Sequence, residues 1–78
     1  MKIELRLYAS LSSYIPRAKG GGMMIDINEG ASIQEVLEQY KVPADSVKII
    51  FLNGVHAEGN ETLKEGDRLG VFPPIAGG

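Results

Sequence analysis

The stretch SIQEVLEQY, residues 32–40, constrains the fold of this chain more than any other. Ile33, Val36, Leu37 and Tyr40 recur at i, i+3, i+4 and i+7, so one stripe of a helix is apolar. Ser32 is a good N-cap, and Glu35 three residues later completes a capping box. Val42-Pro43 stops the pattern, because the residue before a proline is steered away from helical angles. The spacing predicts one amphipathic helix over about 33–41. Strands before and after it would imply a sheet with this helix packed on one face.

The flanking segments supply the strands. KIELRLY alternates, with Ile3, Leu5 and Leu7 on one face and Lys2, Glu4, Arg6 and Tyr8 on the other. Leu11, Tyr14 and Ile15 have the spacing of a short helical turn, which Pro16 would end. Gly20, Gly21 and Gly22 read as a loop. MMIDIN is a second strand, with Met23, Ile25 and Ile27 sharing a face. After the helix, 48–53 is a strand, and Asn53-Gly54 is a strong two-residue hairpin signal leading to a short strand at 55–57. RLGVFP is the last strand, closed by Pro73 and Pro74, which lack the N–H a ladder needs. The order β, β, α, β, β, β predicts an α+β fold: a sheet of four to five strands packed on one helix. The first and last strands would lie side by side in the middle. No repeat or linker interrupts the chain, so one domain is expected over 1–78, with an extended tail at 73–78.

Composition narrows the chemistry. A chain of 78 residues is expected to bury only about 60–65% of its unfolded surface, so the core is thin. There is no cysteine and only one histidine, His56, which removes disulfides, thiolate nucleophiles and His-rich metal clusters. Eight basic against ten acidic residues give a net charge of −2, which argues against nucleic-acid binding. No apolar run reaches membrane-spanning length, and the first ten residues are not a signal peptide. A cytoplasmic protein is expected. No carboxylate pair has the spacing of an acid–base couple. His56, Lys64, Glu65 and Asp67 read as solvated strand and turn residues, and Met23 and Met24 as packing residues.

The strand and helix order, FLNG before a hairpin, LKEGDRLGVFPP and the closing PPIAGG together resemble the MoaD/ThiS sulfur-carrier family of the ubiquitin-like β-grasp fold. The resemblance runs the length of the chain and is most specific over GDRLGVFPPIAGG, residues 66–78. FPP followed by AGG is more similar to the MoaD branch, the small subunit of molybdopterin synthase. The resemblance implies a carrier with no catalytic side chain and no bound cofactor. A partner adenylyltransferase of the ubiquitin-activating type would use ATP to adenylate the carboxylate of Gly78. Sulfur would then replace AMP, giving a thiocarboxylate. A second partner, the large subunit of molybdopterin synthase or an equivalent acceptor, would receive the sulfur for molybdenum or tungsten cofactor synthesis. The alternatives are a carrier for thiamine or another sulfur metabolite, a ubiquitin-like modifier joined to other proteins through Gly78, and a plain binding module.

The tail suits such a task. Six residues, 73–78, span at most about 20 Å when extended. Pro73 and Pro74 favour an extended start, and Ile75 and Ala76 lead to Gly77 and Gly78, which have no Cβ to obstruct a narrow channel. Phe72, pointing opposite to Leu69 and Val71, is a candidate for an apolar docking patch beside the tail, with Arg68 on the same face. The run Ile49–Leu52 can turn only one of its alternating pairs to the helix. Ile50 and Leu52 are assigned here as the outward, docking pair.

Overall fold

The computed structural model describes residues 1–15 and 22–74. Five strands form one mixed sheet: β1 Lys2–Leu7, β2 Gly22–Asp26, β3 Ile49–Leu52, β4 Val55–Ala57 and β5 Arg68–Phe72. Their spatial order is β2-β1-β5-β3-β4. The first and last strands are therefore neighbours, and they run parallel, with Leu5 beside Leu69 and Leu7 beside Val71. All other pairs are antiparallel. Gly22, read as loop, is instead the first residue of β2.

The one α-helix among the described residues, α1, Ile33–Gln39, lies on one face of this sheet and buries Ile33, Val36 and Leu37. Its capping box is complete: the Ser32 hydroxyl accepts from the Glu35 N–H, and the Glu35 carboxylate accepts from the Ser32 N–H. The helix ends two residues short of the expected 41. Tyr40 is the C-cap, and Lys41 takes a left-handed φ of 62°. The Val42 N–H then donates to the Leu37 carbonyl and the Lys41 N–H to the Glu38 carbonyl, which is a Schellman closure.

The core sits between α1 and the sheet. Ile3, Leu5 and Leu7 of β1 and Leu69 and Val71 of β5 are at most 1% exposed, so the central pair forms its floor. Leu11, on a 3-10 segment at Ala9–Tyr14, and Ile15 close one end. Leu63, in the stretch before β5, is buried as well.

Candidate functional site

β5 delivers the tail. The Tyr8 N–H donates to the Val71 carbonyl and the Lys48 N–H to the Phe72 carbonyl, so both neighbouring strands hold β5 up to its last residue. Pro73 cannot donate to either neighbour, and the ladder stops there. Pro73 is half-buried and Pro74 exposed. Both border a small polar notch between the two 3-10 segments, Ala9–Tyr14 and Ala44–Ser46, lined in part by Ser10, Tyr14, Asp45 and Ser46. Ile75, Ala76, Gly77 and Gly78, the tail residues singled out in the sequence, lie outside the described residues.

Beside the tail's root, the outer face of the sheet carries an aromatic cluster. Tyr8 and Phe72 stack with ring centroids 4.2 Å apart and planes within 3°. Phe51 meets Phe72 edge-on at 5.9 Å, and His56 meets Phe51 edge-on at 6.2 Å. The register explains the grouping: Phe72 is opposite Ile49, and Phe51 lies between Gly70 and His56. Gly70 leaves the centre of this face without a side chain, and the Tyr8 ring leans over it, 3.5 Å from where a Cβ would sit. Such ring pairs add attraction beyond the area they cover.

The rim is charged. Arg6 Nε donates to Glu4 Oε2 at 2.6 Å. The hydrogen bond to Glu4, and then its charge, raise the Arg6 pKa further above its ordinary value. Gly22 makes room for this pair, since a Cβ there would come within 3.1 Å of both Arg6 Cγ and Glu4 Oε2. Arg68 stands across from Glu4 in the ladder. It is exposed and makes no ion pair among the described residues.

The structure places the expected docking residues differently from one another. Phe72 and Arg68 are on the outer face. Ile50 and Leu52 are not: Ile50 is buried at 8% exposure, and Leu52 packs half-buried against the core. The assignment of that pair to the docking face is corrected. In the β3–β5 ladder Ile50 faces Val71 and Leu52 faces Leu69, both core residues, and paired residues share a face. The outward pair is Ile49, 36% exposed, and Phe51. The contribution of Tyr8 was also missed. Its signal was present, because Tyr8 has the outward parity of Glu4 and Arg6 and directly follows β1, beside Phe72.

The profile of the ThiS family matches residues 13–78, through the last strand and the tail. The chain belongs to the ThiS family. No curated protein gives a significant match. Among solved structures, the small archaeal modifier SAMP1 from Haloferax volcanii superimposes with a TM-score of 0.75 at 22% identity, covering 100% of both chains. A protein described as molybdopterin converting factor subunit 1 from Pyrococcus furiosus gives 0.73 at 24%, covering 96% of this chain and 99% of its own. A complex of subunits 1 and 2 of the molybdopterin-converting factor from Helicobacter pylori contains a chain matching at 0.62 and 24%, with 100% of each covered. At these identities the likeness is one of fold. It is the ubiquitin-like β-grasp shared by MoaD/ThiS-type sulfur carriers and ubiquitin-like modifiers.

Proposed function

We propose that this chain is a sulfur carrier in which the carboxylate of Gly78 is the reacting group. The observation that carries the reading is the family match, which runs through FPPIAGG to residue 78. In the proposed cycle a partner adenylyltransferase joins the carboxylate oxygen to the α-phosphorus of ATP and releases pyrophosphate. Hydrosulfide supplied by the partner then attacks the acyl carbon. AMP leaves, and one sulfur stands where one oxygen was. The chain's own contribution is presentation. The ladder bonds to Val71 and Phe72 fix where the tail starts. The aromatic face gives a partner an apolar surface beside the root of the tail at Phe72 and Pro73, with Arg68 on the same face to meet a partner's carboxylate. Binding at the face keeps the tail's acyl carbon near the partner's active site, which raises its effective concentration there.

The molybdopterin pathway is the proposed destination, with a large synthase subunit as second partner. Its support is that two of the structural relatives are described as molybdopterin converting factor subunits, one of them in complex with subunit 2. A modifier role is the second reading, favoured by the likeness to SAMP1. Intact mass measurement of the protein from its native cells separates the two. A species with one oxygen replaced by sulfur is expected for the carrier. A ladder of larger conjugates without that species overturns the carrier reading in favour of the modifier. For the pathway, co-purification of the large subunit is expected, and recovery of a thiamine-synthesis enzyme in its place overturns the molybdopterin assignment.

A further inference from the structure

The turn between β3 and β4 is latched to the start of β5 by side chains. Asn53 Nδ2 donates to Asp67 Oδ1 at 3.0 Å, and Asn53 Oδ1 accepts from the Arg68 N–H at 2.9 Å. The second Asp67 oxygen accepts from the Lys64 N–H at 2.8 Å. Asp67, read from the sequence as a solvated turn residue, is instead the one buried charged residue among those described, because its two oxygens are taken up by Asn53 and the Lys64 N–H. These three bonds give each of the four side-chain polar atoms of the pair a partner, with Asn53 at φ 54° and Gly54 at φ 82° in the turn itself.

An asparagine followed by glycine is chemically labile. The Gly54 backbone nitrogen, after losing its proton to solvent, can attack the Asn53 side-chain carbonyl carbon, and glycine has no Cβ to hinder the approach. A C–N bond forms, ammonia leaves, and a five-membered imide results. Water then opens the imide to aspartate or to isoaspartate, with no oxidation or reduction. Both routes need the Asn53 side chain to swing away from β5. We propose that the Asn53-Gly54 turn is a deamidation site whose rate is governed by the latch to Asp67 and Arg68.

Breaking two hydrogen bonds of ordinary net strength slows the cyclisation about thirtyfold relative to a free chain. The product cannot re-form the latch. A carboxylate at position 53 has lost the donor that Asp67 Oδ1 accepted, and two like charges face each other across the former 3.0 Å contact. The isoaspartate form also lengthens the backbone of a two-residue turn. Either product loosens the hairpin that carries Phe51 from the strand that carries Phe72. Asp67→Asn exposes the dependence with little change in shape. Its side chain offers one acceptor where the Lys64 N–H and Asn53 Nδ2 both need one.

The test incubates the purified full-length chain in mildly alkaline buffer, folded and in urea. Conversion of the peptide containing residue 53 is followed by mass spectrometry, and isoaspartate by enzymatic methyl labelling. Conversion is expected to be fastest in urea, slower by about thirtyfold in the folded protein, and intermediate in folded Asp67→Asn. Equal rates in urea and in the folded wild type overturn the proposal, as does a folded Asp67→Asn no faster than wild type. Thermal melts give an independent check. Asn53→Asp is expected to lower the melting temperature, and the exchanged pair Asn53→Asp with Asp67→Asn to restore most of it, since every contact regains a donor and an acceptor. No restoration in the exchanged pair also overturns it.

Discussion

Lys41 occupies the position where helices most often place glycine. Its φ of 62° closes the Schellman turn, and its side chain is exposed. A side chain in this conformation costs energy that glycine does not, so Lys41→Gly is expected to stabilise the fold by about 1 kcal/mol, read by urea denaturation. A second residue-scale feature titrates. The Glu61 carboxylate accepts from the N–H groups of Glu58 and Gly59, both at 2.8 Å, and these bonds hold its pKa below the ordinary glutamate value. A depressed folded-state pKa stabilises the protein above the unfolded value and stops doing so as pH falls through the folded one. Glu61→Gln, with one acceptor oxygen for two donors, is therefore expected to melt lower than wild type at neutral pH. The gap should close as pH drops through the carboxylate range, and a gap independent of pH would refute the assignment.

At the scale of the element, β3 is the strand whose reading depended on its neighbour. Four successive apolar residues, Ile49 to Leu52, contain two possible buried faces. Pairing with β5 selects Ile50 and Leu52 as the inner pair. Ile50→Ala is accordingly expected to cost about 2–4 kcal/mol of stability through the cavity it leaves. Phe51→Ala should cost about 1 kcal/mol and act chiefly on partner binding. Urea melts of both variants, alongside a pull-down with the activating partner, check this. Reversed stability costs would mean that the strand is flipped. The helix carried its own evidence, because Ser32, Glu35 and the apolar stripe are all local. Its last turn was less legible, since Lys41 at the left-handed position is not the glycine that marks such an end.

At the scale of the whole molecule, the aromatic face lies on the side of the sheet away from the core. On the proposed carrier role, deleting Gly78 should leave the thermal midpoint unchanged while removing adenylation by the proposed partner enzyme. Phe72→Asp should leave the tail's chemistry available but lower kcat/KM for adenylation by at least about tenfold, through lost apolar contact and an unpaired charge at the interface. A pyrophosphate-release assay measures both. Full activity in Phe72→Asp would remove the outer face from the docking surface. The two effects are physically distinct because Phe72 makes its contacts with Tyr8 and Phe51 on the side of the sheet away from α1.

By itself, the sequence determined the element order, the helix with its cap, the hairpin at Asn53-Gly54 and the character of the FPPIAGG tail. Each depends on contacts within a few residues or on a motif read directly. Only the tertiary structure decided which face of β3 is buried, that Tyr8 completes the cluster on Phe72, that Gly22 clears a path for Arg6, and that Asn53 is held by Asp67. Those four facts join residues from segments far apart in the chain or on different strands. They follow from ladder register, and register is fixed by burial of the whole sheet against α1, which no local window of sequence contains.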